Sequence, residues 1–155
     1  MTIEVARLDL DEDATLEAVV ALQRAAYRVE ADLLGVRTLP ALTETAQQLH
    51  DAGEAFLGAF EGERLVGAVS WRREGSLMEI HRLVVDPGEF RRGIGSSLLS
   101  ALDAAEPGAT RTIVATGAAN PPARRLYERH GFTPYDRRMA AGGVPIVTYE
   151  RRSEA

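Results

Sequence analysis

The chain contains no cysteine, so disulfides, thiolate nucleophiles and cysteine-ligated zinc are all excluded. It also contains no lysine. All 18 basic side chains are arginine, which removes a Walker-A phosphate loop, a Schiff-base mechanism and any lysine base. No apolar run is long enough to cross a membrane, and Met1–Leu10 has no signal-peptide pattern, so the expected location is the cytoplasm. What remains is a globular composition: 155 residues, 45% hydrophobic and 26% charged. This length suits a single domain over residues 1–155 with a core of its own.

The net charge of −5 is unevenly spread. Residues 1–54 carry 11 acids against 4 arginines, whereas residues 55–155 carry 12 acids against 14 arginines. Such a split arises from plain surface variation, or from a cationic ligand on the first part and an anionic one on the second. A nucleic-acid surface would need a far more basic domain.

Alternation at Thr2–Leu8 predicts a strand. Four acids in Asp9–Asp13 suit a helix start, and helical spacing predicts a helix from about Glu12 to Leu33, ended by Gly35. Pro40 falls in the connection, and Thr43 precedes a second helix reaching about Ala52. Ala55–Phe60, Arg64–Arg72 and Ser76–Val85 read as an antiparallel meander. A helix over Gly93–Ala105, a strand at Thr112–Thr116, a helix over Asn120–His130 and a hairpin of Thr133–Ala141 with Val144–Arg152 complete an α+β order.

Two segments carry chemistry. In Phe90-Arg91-Arg92-Gly93-Ile94-Gly95-Ser96-Ser97, glycines at a strand-to-helix turn let amides converge on an anion. The same glycines also suit a tight turn with no ligand. A dinucleotide fingerprint would need glycine at Leu98 and a parallel unit, so that reading fails. In Asn120-Pro121-Pro122-Ala123-Arg124-Arg125-Leu126-Tyr127-Glu128-Arg129-His130-Gly131-Phe132, Asn120 suits an N-cap, Pro121 the first helical position and Gly131 the C′ position. Arg124, Arg125 and Arg129 read as a solvated face or as phosphate ligands, and His130 as a helix-end cation or surface residue.

Both segments resemble the GNAT superfamily of N-acetyltransferases. The first matches its acetyl-CoA loop, Gln/Arg-x-x-Gly-x-Gly/Ala, except that Phe90 replaces the usual Gln or Arg. The second matches Asn-x-x-Ala-x-x-Leu-Tyr-x-x-x-Gly-Phe throughout. The resemblance implies the GNAT fold, a mixed sheet of about seven strands flanked by about four helices. It implies an acceptor-side segment at about 12–52 and a coenzyme core at about 76–132. It further implies acetyl-CoA as co-substrate with no metal, held by Leu83, Val84, Val85, Arg91, Arg92, Gly93, Ile94, Gly95, Ser96, Ser97, Asn120, Ala123 and Tyr127.

By the same resemblance Tyr127 protonates the departing thiolate, the Leu83 amide polarises the thioester carbonyl, and Glu79 is the first candidate for deprotonating the amine; His81, two residues on along the strand, is the second. Glu79 stands fourteen residues before Gly93, the spacing of the glutamate in histone-acetylating members. It is equally explained as an ion pair with a neighbouring arginine. Period-two alternation puts Glu79, His81, Leu83 and Val85 on one strand face, opposite Met78, Ile80, Arg82 and Val84. Tyr27, Glu30 and Asp32 are weaker candidates for recognising a cationic amine, each also explained as core or surface.

The expected activity is transfer of an acetyl group to a primary amine of a cationic small molecule. Neither a nucleic acid nor a membrane is expected as partner, and homodimers are frequent in the superfamily. The alternatives are a non-catalytic acetyl-CoA-binding module of the same fold, or an enzyme acting on a protein N-terminus.

Overall fold

The structure is a computed structural model that describes residues 2–90, 92–140 and 142–153. In order it contains β1 (Ile3–Arg7), α1 (Asp13–Leu34), α2 (Pro40–Thr43), α3 (Ala46–Asp51), β2 (Ala55–Glu61), β3 (Arg64–Glu74) and β4 (Leu77–Val85). A 3-10 turn at Pro87–Glu89 leads to α4 (Ile94–Ala105), β5 (Arg111–Gly117), α5 (Pro121–Arg129), β6 (Thr133–Met139) and β7 (Pro145–Arg152). The strands form one sheet in the order β1-β2-β3-β4-β5-β7-β6. Every pairing is antiparallel except β4 with β5, so the sheet is mixed and the architecture α+β, as expected. None of the described helices is long and apolar enough to cross a membrane.

The segment between α1 and β2 differs from the sequence reading by one element. The helix expected after Thr43, to about Ala52, is α3, and α2 is an additional short helix where a connection was expected, which makes five helices among the described residues. Pro40 is not in a connection but opens α2, where its missing N–H has no helical partner to lose. The cap that organises α3 is Thr45. Its hydroxyl accepts from Gln48 N at 3.1 Å while Gln48 Oε1 accepts from Thr45 N at 2.9 Å, a complete capping box. At the start of α1, Glu12 occupies the cap position without a side-chain cap bond.

The helices cover both faces of the sheet. On one side Val19 and Leu22 of α1 and Leu49 of α3 pack with Phe56, Ala68 and Val84. On the other, α4 sinks Ile94, Leu98, Leu99 and Leu102 against Trp71, Met78 and Ile80. Each of these fully buried aliphatic side chains contributes roughly 2 kcal/mol.

β4 departs from simple alternation. Ser70 pairs with Arg82 but Trp71 pairs with Ile80, which leaves His81 as an extra residue in a β-bulge. The bulge flips the phase. Met78 and Ile80 share the α4 face with Leu83 and Val85, while Val84 packs on the α1 face. Arg82 reaches Gln23 of α1 and so lies on the α1 side too. The assignment of Leu83 and Val85 to the face of Glu79, and of Arg82 and Val84 to that of Met78, is therefore corrected. Extrapolated alternation cannot register an inserted residue.

β4 and β5 pair only over Leu77–Ile80 with Arg111–Val114. Beyond Ile80 the strands part, and this end of β4 keeps β3 alone as a neighbour.

Candidate active site

The parting of β4 from β5 opens a cavity of about 440 Å³ between α1, α4 and α5. Leu83, Val84 and Val85 form its strand wall, and Gly93, Ile94, Gly95 and Ser96 its loop end. Gly93 adopts φ +74, a left-handed conformation that a side chain resists. The first bond of α4 runs from Ser97 N to Gly93 O at 3.0 Å, and no side chain caps the helix. The amides of Ile94, Gly95 and Ser96 thus lie ahead of the first intrahelical bond, and the three residues border the cavity.

The loop's charges are mostly engaged. Arg92 does not border the cavity; it pairs with Glu61 at 2.5 Å and with Glu89. Arg64 also reaches Glu89, at 2.8 Å, so two guanidiniums hold the Glu89 carboxyl below the usual range. Arg91, expected at the coenzyme, lies outside the described residues. Ser97 does not border the cavity, since its amide is already inside the helix.

α5 supplies the opposite wall through Asn120, Ala123 and Tyr127. The Asn120 carbonyl oxygen accepts from Ala123 N at 3.3 Å, and its amide nitrogen donates to Glu30 Oε1 at 3.2 Å. Burial pushes the Glu30 carboxyl up, and the bond from Asn120 opposes this only in part. Tyr127 is buried, with ring centroids of Phe132 and Tyr149 at 5.8 and 5.9 Å. Its hydroxyl has no hydrogen-bond partner among the described residues. Burial, then Tyr27 and Glu30, push this phenol far above its ordinary value, so it holds its proton throughout the neutral range.

Tyr27 borders this cavity and a second one of about 580 Å³ on the α1 side. Glu44, Glu54, His81 and Arg82 make the second cavity strongly polar. Arg82 Nε donates to Glu54 Oε1 at 2.8 Å, and its terminal nitrogens donate to Gln23 Oε1 at 2.8 Å and to both oxygens of Glu44, Oε2 at 3.0 Å. Ser70 adds a donor to Glu54 at 2.7 Å. Burial pushes Glu54 up, but the Arg82 and Ser70 bonds outweigh it and hold the carboxyl below its usual value. His81 stands between Glu54 Oε2 at 3.6 Å and Glu79 Oε1 at 3.5 Å.

The two candidate bases are therefore placed differently. His81 faces the second cavity, whereas Glu79 borders neither cavity and its side chain is 52% exposed. Glu30 joins Tyr27 at the first cavity, but Asp32 is exposed and borders neither. Sequence reasoning missed Glu44, Glu54 and Gln23. Each is an isolated polar residue with no motif around it, and the bulge that turns Arg82 towards them is invisible to periodicity.

Residues 16–132 match the model of the Acetyltransferase (GNAT) family. The chain belongs to the GNAT family. This GNAT domain is 33% identical over 139 residues to UPF0157 protein YqkA of Bacillus subtilis, a match covering 89% of the chain and 40% of YqkA. The chain thus spans well under half the length of that relative. Its fold is that of PaiA N-acetyltransferase from Thermoplasma acidophilum in complex with coenzyme A. That match has a TM-score of 0.81 and 19% identity, and covers 99% of this chain and 100% of the other. It is also similar to the ribosomal-protein-S18-alanine N-acetyltransferase of Escherichia coli, with a TM-score of 0.79 and 17% identity over 99% of this chain and 96% of the other.

Proposed function

We propose that the protein is an acetyl-CoA-dependent N-acetyltransferase that acts directly on a primary amine of a cationic small molecule. The observation that carries this reading is the course of the first cavity. It begins at three uncapped amides of α4, passes the end of β4 that has parted from β5, and reaches the buried phenol of Tyr127 and the ring of Tyr27, which also lines the second cavity.

The residues present suit acetyl-CoA. Gly93 has no side chain to screen the amides, and the helix start favours an anion there. Leu83, Val84 and Val85 offer an apolar wall with main-chain groups for an extended arm. Bound in this cavity, acetyl-CoA supplies an activated acetyl thioester. The Leu83 amide polarises its carbonyl. Tyr127 keeps a proton ready for the departing sulfur, whose thiol has a reference pKa of about 8.5.

His81 is our choice of base, because it faces the second cavity, with Glu54 Oε2 at 3.6 Å and Glu79 Oε1 at 3.5 Å from its ring nitrogens. Glu79 acts on it from outside. The second cavity takes the amine, and its carboxylates Glu44 and Glu54 exceed the single cation Arg82, which favours an ammonium ligand. With no cysteine in the chain, transfer has no acyl-cysteine stage.

Calorimetric titration with acetyl-CoA, with NAD and ATP as controls, followed by a thiol-release screen of amines, tests the reading. The protein contributes no thiol of its own. Selective micromolar binding together with amine-dependent release supports it. Binding without release from any amine or N-terminal peptide would point to the non-catalytic module, release with peptides alone would move the acceptor to a protein N-terminus, and no binding by folded protein would end the coenzyme reading.

A further inference from the structure

Consecutive residues of a regular strand point to opposite faces, yet His81 and Arg82 both border the second cavity. The bulge accounts for this. His81 is the residue without a partner in β3, and its side chain is re-aimed to the side that Arg82 faces. The imidazole comes to rest between two carboxylates in unlike surroundings. Glu54 keeps 5% of its side chain exposed and lies 3.6 Å, through Oε2, from Nδ1. Glu79 is 52% exposed and lies 3.5 Å, through Oε1, from Nε2.

The two oxygens of Glu54 are unequally served. Oε1 accepts from Ser70 Oγ at 2.7 Å and from Arg82 Nε at 2.8 Å. Among the described residues, Oε2 has one long bond from a terminal nitrogen of Arg82, at 3.4 Å, and the imidazole just beyond it. A carboxylate oxygen shielded from water calls for a donor, and Nδ1 is the ring atom placed to supply one. Burial pushes the Glu54 carboxyl up, but the bonds from Arg82 and Ser70 outweigh it, so the group remains an acceptor at neutral pH.

We propose that Glu54 is the positioning residue for His81: it keeps the proton of the neutral ring on Nδ1 and leaves the lone pair of Nε2 to take a proton from the amine. The inference rests on the reading of His81 as base given above. Two protons leave the ammonium nitrogen during the transfer. The first goes to Nε2, which frees the nitrogen lone pair that forms the C–N bond. It then passes to Glu79 Oε1, whose exposed carboxylate returns it to water. The second is lost to solvent, from which Tyr127 recovers the proton that it gives to sulfur as the C–S bond breaks. The Nδ1 proton stays in place throughout, and the imidazolium formed on the way donates to both carboxylates at once.

The test reads the ring directly and needs no substrate. The chain has three histidines, so long-range proton–nitrogen correlation spectra of isotope-labelled protein are assigned by comparison with His81→Ala. The neutral ring of His81 should carry its proton on Nδ1. In Glu54→Gln the amide oxygen should take the place of Oε1, where both neighbours are donors, and the NH2 group that of Oε2. That group donates to Nδ1, so the ring proton should move to Nε2. Glu44→Gln also takes a charged partner from Arg82 but leaves Glu54 in place, and His81 should keep its Nδ1 proton. A wild-type ring protonated on Nε2, or a ring that Glu54→Gln leaves unchanged, overturns the inference while acetyl-CoA binding stands. The wild-type spectrum decides this even if a variant fails to fold.

Turnover supplies the second measurement, by thiol release with ethanolamine and benzylamine as probe amines. Glu54→Gln should lower turnover at least about tenfold in the wild-type background and no more than about twofold in His81→Ala, because a positioning residue has nothing to act on once the ring is gone. An equal loss in both backgrounds would mean that Glu54 acts on something other than His81, and overturns the inference. Absence of release from either probe in the wild type counts against the choice of amine alone, since the tautomer is read without turnover.

Discussion

Arg82 Nε lies 2.8 Å from Glu54 Oε1, and Glu54 keeps only 5% of its side chain exposed. Through this pair and the further bonds of Arg82 to Glu44 and Gln23, one guanidinium ties α1 and the α2–α3 segment to β4 beside the bulge. Replacing Arg82 by Met leaves Glu54 and Glu44 without their cation and should cost about 3 kcal/mol in urea unfolding. The double variant Arg82→Met/Glu54→Gln should recover part of the loss, because it removes the more buried unpaired charge. Both carboxyls are held below their unfolded values, so their contribution is full above that range and lost as pH falls through the folded values. Wild type should therefore lose stability on acidification more steeply than the double variant.

The glycine loop, the cap at Asn120 and the C′ glycine at 131 were legible because each depends on local chemistry: a helix start, a cap bond, φ. Tyr127 stood out only through the GNAT resemblance. α2 was not legible, since a four-residue helix opened by Pro40 is too short to show a helical period. The phase of β4 was lost at His81 for a different reason. A bulge is set by the partner strand, and the register shift opposite Ser70–Trp71, which leaves His81 without a partner, carries no mark in β4 itself. For the same reason the cluster of Arg82, Glu44 and Glu54 emerges only from the tertiary structure.

Tyr127→Phe removes a hydroxyl that has no partner among the described residues, so the fold and the acetyl-CoA dissociation constant should be unchanged within a factor of about two. Turnover in the thiol-release assay should drop about a hundredfold, the lower range for loss of a general acid. Wild type should show no alkaline limb from this phenol below the stability limit of the protein, because burial raises its pKa. Unchanged turnover in the variant would remove Tyr127 from the mechanism.

His81→Ala and Glu79→Gln separate the two base candidates. The open second cavity is bordered by His81 but not by Glu79. Turnover should fall about a hundredfold in the first variant and no more than about fivefold in the second, with the acetyl-CoA constant preserved in both. The reverse order of effects would return the base to Glu79.

Gly93→Val puts a β-branched residue at φ +74. Among the described residues beyond its chain neighbours, no atom lies within 4 Å of the position a Cβ would take, so the cost is backbone strain of about 1–2 kcal/mol and not a clash. The new side chain would stand at the uncapped end of α4. Acetyl-CoA affinity should fall by at least about tenfold in protein whose circular dichroism is native-like. Retained affinity would place the diphosphate elsewhere.

Glu30 sets a stability test of opposite sign to that of Glu54. Burial raises its carboxyl, and the 3.2 Å bond from Asn120 only partly offsets this. The native state therefore binds the Glu30 proton more tightly than the unfolded chain does. Below the unfolded value both states are protonated and Glu30 is neutral for stability. As pH rises through the window between the unfolded and folded values, the ionised form must be kept in a partly buried site, and stability declines. Glu30→Gln keeps an oxygen able to accept from Asn120 but carries no charge. Its unfolding midpoint in urea should match wild type at the acid end of that window and exceed it at pH 7. A variant less stable than wild type at pH 7 would mean that the Glu30 charge is compensated in the folded state.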